Sequence, residues 1–252
     1  MYFDPPPPPP VAADWTIDPS CRPPNFGLLV RVELVILVMD GDELKALMIK
    51  RDKQPFSGQL SLPGAYMQEE LSLNDLAKRI FAALRLGSTI PYLFGQFSHL
   101  NRATQHRLVS VGFLAVADIG RLTDLVAGDD AFKLVTLGFE ETDRCKRLTI
   151  GDEIDVIAYD HATILRDARF HLMDLLDSSK IAFQFLEETF SLTQLRRVHE
   201  AISATSLETN RFRKRMLAKK FINGSRIVRC DERIVTGGRP AGLYRLASAP
   251  RR

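Results

Sequence analysis

The spacing of apolar and polar positions divides the chain into three patterned stretches, which follow a start that has no pattern. Val32–Met39 is an apolar, largely β-branched run, Asp40-Gly41-Asp42 is a hairpin turn signal, and Leu44–Lys50 returns as a second strand. Ser72 then opens a helix in which Leu73, Leu76, Ala77, Ile80, Phe81 and Leu84 recur at i, i+3, i+4, with Gly87 as its stop. Phe94–Ser98 and Leu108–Ala117 go back to strand pattern, so the order is β-β-α-β-β, an α+β arrangement. Further along, Asp160 caps a helix carrying Ile164, Leu165, Ala168, Leu172, Leu175 and Leu176 on one face.

The last quarter, Ser191–Leu246, changes rhythm. Ser191 with Gln194 makes a capping box, and Leu192, Leu195, Val198 and Ile202 form the buried stripe of a short helix. The polar Ala204-Thr205-Ser206 forces a sharp turn into a second helix over Glu208–Phe221, whose core contacts are Phe212, Met216, Leu217 and Phe221. Two β-like runs follow, with Arg233, Gly237, Gly238, Arg239 and Pro240 at the tip between them. Helix, turn, helix, hairpin is the plan of a winged helix-turn-helix.

Charge supports that plan. Ser191–Arg252 holds 15 Lys+Arg against 4 Asp+Glu, a net +11, whereas the preceding 190 residues hold 19 against 27, a net −8; the whole-chain value of +3 hides the split. A basic end on an acidic body points to double-stranded nucleic acid as partner. Asn210, Arg211, Lys214 and Arg215 carry the side chains suited to base edges in the major groove. Thr193 and Arg213 are further DNA-contact candidates, and Arg239 suits insertion into a minor groove or along a phosphate strand. An RNA-binding adaptor would need aromatic stacking platforms, and the basic domain has one Tyr, Tyr244, placed in a strand.

Composition removes several other classes. Residues 1–27 contain nine of the 14 prolines, including Pro5–Pro10, and read as a disordered polyproline leader. No apolar run is long enough for a signal sequence or membrane span, so a cytoplasmic protein with no membrane partner is expected. Cys21, Cys145 and Cys230 are far apart and odd in number, which indicates neither a disulfide framework nor a metal site. The boundaries that follow are a leader 1–27, a body 28–158, a linker helix 159–186 and a DNA-binding domain 187–252.

Arg51, Pro55-Phe-Ser-Gly58 and Leu62-Pro-Gly64 followed by a helix resemble the Nudix fold, an α/β/α sandwich whose box reads G-x5-E-x7-R-E-U-x-E-E-x-G, U being hydrophobic. Gly64 and Glu70 match its opening. With one inserted residue Arg79 matches the arginine, and the three metal-binding glutamates fall on Ile80, Ala83 and Leu84; in the strict register they fall on Arg79, Ala82 and Ala83. Hydrolysis would need two or three carboxylates to hold Mg²⁺ and activate water, so the resemblance implies a degenerate Nudix-like domain without catalytic residues or a catalytic cofactor. The alternative is a Nudix-type pyrophosphohydrolase of nucleoside diphosphate derivatives, resting on Glu69 and Glu70.

The linker over Val156–Leu186, the run Phe190–Ile202, Phe212-Arg-Lys-Arg-Met-Leu-Ala218 and Gly238-Arg-Pro-Ala241 resemble the Nudix-related transcriptional regulators of NAD metabolism, most closely the NadQ-type branch that represses NAD synthesis genes. The match covers roughly Leu28–Leu246. This resemblance implies a homodimeric repressor on a palindromic operator, with half-sites about one DNA turn apart. Its effector would be NAD, ADP-ribose, ATP or an NAD precursor such as nicotinate. Candidate effector-binding residues are Arg51, Ser61, Gly64, Arg102, His106 and Arg107.

Overall fold

The computed structural model describes residues 28–67, 69–87, 89–99, 107–141, 146–151, 157–221, 224–234 and 241–247. The leader 1–27, Cys21, Arg102, His106, Cys145 and the hairpin tip with Gly237, Gly238, Arg239 and Pro240 lie outside them. The described residues fall into two compact units. The first takes in those within 28–36, 47–134 and 157–164; the second takes in those within 37–46, 135–151 and 165–247.

In the first unit, β1 (Leu28–Asp40) begins with a continuous apolar run in which Val32 and Leu34–Ile36 are wholly buried. β4 (Gly64–Tyr66) lies antiparallel on β1, pairing Glu33 with Gly64. The end of β2 (Glu43–Lys50) pairs with the two-residue β3 (Leu60–Ser61). β5 (Tyr92–Phe97) pairs antiparallel with β6 (Arg107–Val116), and β6 neighbours β1. α1 (Leu73–Ala83) starts where the Ser72 hydroxyl accepts the Asp75 N–H, and buries Leu76, Ala77, Ile80 and Phe81, as its spacing predicts. Its end differs from the expectation. Leu84 is the C-cap and Arg85 takes the left-handed conformation (φ 56°), two residues before Gly87. Burial of Leu84 and Leu86 closes the helix early, and the glycine is spared that duty. A further helix, α2 (Ile119–Gly128), N-capped by Asp118, was not legible because its apolar stripe is thin: Leu122 is its one buried residue.

In the second unit the β1–β2 hairpin turns at Gly41 (φ 60°), with Leu37 opposite Ala46 and Asp40 opposite Glu43. β7 (Phe132–Glu141) enters this unit to pair antiparallel with β8 (Lys146–Ile150). Neither strand was read from the sequence. α3 (His161–Ser178) begins in the first unit and runs on into the second; Ile164, Leu165, Ala168, Leu172 and Leu176 are buried as expected, and Leu175 is half-buried at the flank of that face.

After a 3-10 turn over Ile181–Phe185, β9 (Thr189–Ser191) leads into α4 (Leu192–Ser203), α5 (Thr209–Ala218), β10 (Arg226–Ile234) and β11 (Ala241–Ala247). The hairpin β10–β11 is extended by β9 into a three-stranded sheet in the order β10-β11-β9. Both halves of the Ser191–Gln194 capping box are made, at 3.1 and 2.8 Å. α5 is shorter than expected: it ends at Ala218, so Phe221 reaches the core from the following loop. Leu217 is 39% exposed rather than buried. At 100° per residue, Phe212 and Met216 define the inner face, and Leu217 falls on the outward one.

Candidate nucleic-acid interface

The helix pair in the second unit is locked by groups that apolar periodicity does not reveal. Glu200 on α4 accepts the Leu207 N–H (2.7 Å) and pairs with Arg196 (2.7 Å), whose guanidinium also donates to the Leu207 carbonyl (3.3 Å). This clasp spans the turn, in which Ala204 takes the left-handed conformation (φ 49°) as the C-cap of α4. Glu208 then caps α5, its carboxylate accepting the N–H groups of Asn210 (2.8 Å) and Arg211 (2.5 Å); these bonds hold its pKa below the usual carboxylate range. A carboxylate at this end also complements the positive pole of the helix.

Between the helices, His199 is buried with its ring edge-to-face on Phe212, centroids 5.1 Å apart. Burial, and then the nearby Arg215 charge, push its pKa down to about 4, so the ring is neutral near neutral pH.

With that inner face filled, Thr209, Asn210, Arg211, Arg213, Lys214 and Arg215 are all exposed on α5, and Thr193 is exposed on α4. Asn210 and Lys214 lie most directly opposite Phe212 and Met216. Arg215 is differently placed. Its guanidinium sits over the Phe212 ring (5.6 Å) and 3.9 Å from Asp177 of α3, which also holds Lys219 at 3.1 Å. Burial pushes the Asp177 pKa up, but the Lys219 hydrogen bond and the charges of Lys219 and Arg215 outweigh it, and the net shift is downward. The sequence places Arg215 with the base-reading residues; in the structure its charge is shared with an aspartate.

α3 grips α4 as well. Arg169, 2% exposed, donates from Nε to the Ile202 carbonyl (3.1 Å) and from Nη2 to that of Ala201 (2.5 Å), both in the last turn of α4; Nη1 donates to the Leu137 and Gly138 carbonyls of β7. Burial lowers its pKa to about 10, which leaves it charged at neutral pH. Across the same unit Arg197 of α4 pairs with Asp42 at the β1–β2 turn (3.3 Å). A charged residue interrupting the apolar face of a linker helix was the available sequence signal for Arg169.

The first unit contains a buried polar cluster that sequence reading also missed. Glu33 lies 3.3 Å from Arg31 Nε and 3.6 Å from His161 Nε2, and accepts from the Ser110 hydroxyl at 3.1 Å; all four side chains are buried. His161 Nδ1 accepts the Leu62 N–H (2.9 Å), so in the neutral ring the proton is on Nε2, facing Glu33. Arg31 also donates to the Gly64 carbonyl (3.1 Å). Gly64 is needed here because a Cβ would stand 2.4 Å from both Glu33 Oε2 and the Val32 carbonyl oxygen. Its role is thus close packing against a carboxylate.

Of the other expected effector residues, Ser61 is buried and donates to the Ile49 carbonyl (3.3 Å). Arg107 is exposed at the start of β6. Arg51 is 9% exposed beside the rings of Phe56 and Tyr159. Where the Nudix box would carry glutamates, Ile80 and Leu84 are core residues, 3% and 4% exposed, and Ala83 is half-buried. Among the described residues no group of three or more His, Cys, Asp or Glu side chains is placed to hold a metal ion.

Fold and surface together define a class: a Nudix-like domain of mixed sheet and helices followed by a winged helix-turn-helix. Residues 182–246 match the NrtR DNA-binding winged helix domain. A curated relative, the ADPR-responsive transcriptional repressor NtrR of Acinetobacter baylyi, is 27% identical over 221 residues, covering 87% of this chain and 82% of its own. Crystal structures of Shewanella oneidensis NrtR share the fold, free (TM-score 0.67, 22% identity, 87% of this chain and 94% of that one) and complexed with a 27mer DNA (TM-score 0.66, 22% identity, 86% and 93%). A MutT/nudix family protein of Enterococcus faecalis is similar to the same extent (TM-score 0.65, 21% identity, 87% and 88%). Over most of its length the chain is thus similar to a transcriptional repressor, and its fold is that of NrtR.

Proposed function

We propose that the protein is a ligand-responsive transcription repressor of NAD biosynthesis genes, in which residues 28–158 sense the effector, 159–186 transmit and 187–252 bind DNA. The observation that carries this reading is α5. Its inner face is filled by Phe212 and Met216, its start is capped by Glu208, and its outward side presents Asn210, Arg211, Arg213 and Lys214 to solvent in a domain of the NrtR winged-helix kind. Asn and Arg suit bidentate contacts in the major groove, and the flanking cations suit phosphate. Arg239 is assigned to the wing's contact with DNA, although its position is outside the described residues.

The effector is an NAD-related nucleotide, with ADP-ribose first in order because the Acinetobacter relative is named as ADPR-responsive; NAD, ATP and nicotinate follow. The body binds this effector without hydrolysing it, since the positions corresponding to the metal-binding glutamates are Ile80, Ala83 and Leu84. The protein works in the cytoplasm as a homodimer, whose two-fold symmetry matches a palindromic operator. No described helix is long and apolar enough to cross a membrane. Effector binding shifts the balance between two arrangements of the recognition helices by its difference in affinity for them.

The test is a mobility shift of the purified protein on DNA upstream of NAD-synthesis genes, with and without ADP-ribose, NAD, ATP and nicotinate. A specific shift altered by one of them supports the reading. Absence of any specific shift at low and moderate salt, together with Mg²⁺-dependent turnover of ADP-ribose, would replace it with the pyrophosphohydrolase reading.

A further inference from the structure

A carboxylate beside a DNA-reading helix works against the attraction of phosphate. The winged-helix end of the chain is poor in such groups, with 4 Asp+Glu between Ser191 and Arg252. Two of those serve the fold: Glu200 holds the turn and Glu208 caps α5. Asp177 comes from outside that stretch, in the last turn of α3, and its carboxylate meets two cations at the end of α5. Lys219 Nζ lies 3.1 Å from Oδ1, and Arg215 Nη1 lies 3.9 Å from Oδ2.

Each of these cations is held from two sides. The Arg215 guanidinium lies over the Phe212 ring, 5.6 Å from the centroid, and Lys219 Nζ lies 5.4 Å from that of Phe221. Phe212 and Phe221 are buried, so both rings are fixed platforms. Around α5, Arg213 and Arg215 fall on opposite flanks, each about 100° from the outward Lys214. Only the Arg215 flank meets a carboxylate; among the described residues Arg213 and Lys214 make no salt bridge. The side chains of Asp177 and Arg215 are 66% and 46% exposed, and a pair so exposed adds little to stability. Its consequence for a polyanion is larger, because one carboxylate occupies two cations.

We infer that Asp177 is a specificity-determining residue of DNA binding, which keeps Arg215 and Lys219 off phosphate and leaves contact to the outward side chains of α5. Phosphate is the same at every base pair, so each cation that reaches it strengthens binding to all sequences alike. Discrimination is the difference in affinity between an operator and random DNA. On random DNA the domain samples many orientations, and cations freed on the flank of α5 would meet phosphate in many of them. On its operator the base contacts fix the orientation, and the flank toward α3 gains less. A carboxylate on that flank therefore lowers the first affinity more than the second. This inference rests on the reading that α5 binds DNA, and it adds a residue of the linker helix to the groups that set sequence preference.

The test uses the full chain. Wild-type protein enriches a pool of random-sequence duplexes, and the enriched duplex and a scrambled version of it are titrated by fluorescence anisotropy at stepped salt. Asp177→Asn keeps the shape of the side chain and removes its charge. It should tighten binding to the scrambled duplex by roughly three- to tenfold at low salt and steepen the log–log salt slope by about 1–2. The enriched duplex should gain less, so the preference between the two falls. Asp177→Glu, which keeps the charge, should lose less of that preference. In an Arg215→Gln/Lys219→Gln background Asp177→Asn should change neither slope nor preference, since no cation is left to release; a merely structural Asp177 would act in both backgrounds. An unchanged slope and preference in an Asp177→Asn variant that melts like wild type overturn the inference. Equal gains on the two duplexes, or an effect that persists in the double-glutamine background, overturn it as well. A wild type that enriches no sequence discards the DNA reading and this inference together, whereas an enriched sequence with an indifferent Asp177→Asn discards the inference alone.

Discussion

Replacing Arg169 by Met tests whether the linker helix holds the DNA-reading helices in place. The side chain is 2% exposed and donates to four carbonyls, Leu137 and Gly138 on β7 and Ala201 and Ile202 at the end of α4. Methionine fills similar volume and offers no donor. Each buried carbonyl left without a partner costs roughly 1 kcal/mol or more. Four of them come to about 4 kcal/mol or more, and relief from burying a cation offsets part of it. The net expectation is a loss of about 2–4 kcal/mol. Urea denaturation of the full chain followed by circular dichroism measures it, and a mobility shift measures the consequence for DNA. Arg169→Lys should fall between the two, because one ammonium cannot reach both β7 and α4. A folded Met variant within about 0.5 kcal/mol of wild type would refute the clamp, since that is the scatter of ordinary surface substitutions.

Three further outcomes follow from the same geometry. His199, neutral in the folded protein with a pKa of about 4 against 6.5 unperturbed, confers stability that is present above about pH 6.5 and falls away as the pH drops toward 4; at about 1.4 kcal/mol per pH unit this is on the order of 3 kcal/mol. His199→Leu should flatten that acid limb in urea titrations at stepped pH, and an unchanged slope removes His199 as its source. Gly64→Ala places a methyl 2.4 Å from Glu33 Oε2 and the Val32 carbonyl oxygen, so melting should show a loss of roughly 1–3 kcal/mol; a neutral effect would mean the strand yields freely. Lys214→Ala, at an exposed position opposite the buried face of α5, should weaken operator binding and reduce the log–log salt slope by about 1, and an unaltered slope would exclude a phosphate contact.

Much of the architecture is legible along the chain where burial is one-sided. The face of α1, the stripe of α3 and the capping box of α4 follow from period and cap chemistry, and the β1–β2 hairpin, buried on both faces, is legible from its continuous apolar runs on either side of Asp40-Gly41-Asp42. α2 and β7–β8 were missed: α2 buries little, and the alternation Val135-Thr136-Leu137-Gly138-Phe139 of β7 is short. Leu217 fails for a related reason. In a short helix crowded with Arg and Lys, every apolar residue invites assignment to the core, and only the axis set by Phe212 and Met216 decides which way each one points.

The candidate site divides in the same way. The basic face of α5, the cap at Ser191 and the loss of carboxylates at Ile80, Ala83 and Leu84 are local facts of composition and spacing, and the sequence by itself determined them. The Glu33–His161–Ser110 cluster, the four carbonyls on Arg169, the Asp177 grip on Arg215 and Lys219, and the stacking of Arg51 on Tyr159 needed the tertiary structure. Each joins residues distant in the chain, Glu33 to Ser110 and His161, Arg169 to Leu137 and Ala201, Asp177 to Lys219, Arg51 to Tyr159. Periodicity reports the face on which a side chain lies. Whether a buried charge finds a partner there depends on which other strand or helix supplies the acceptor, and only packing decides that.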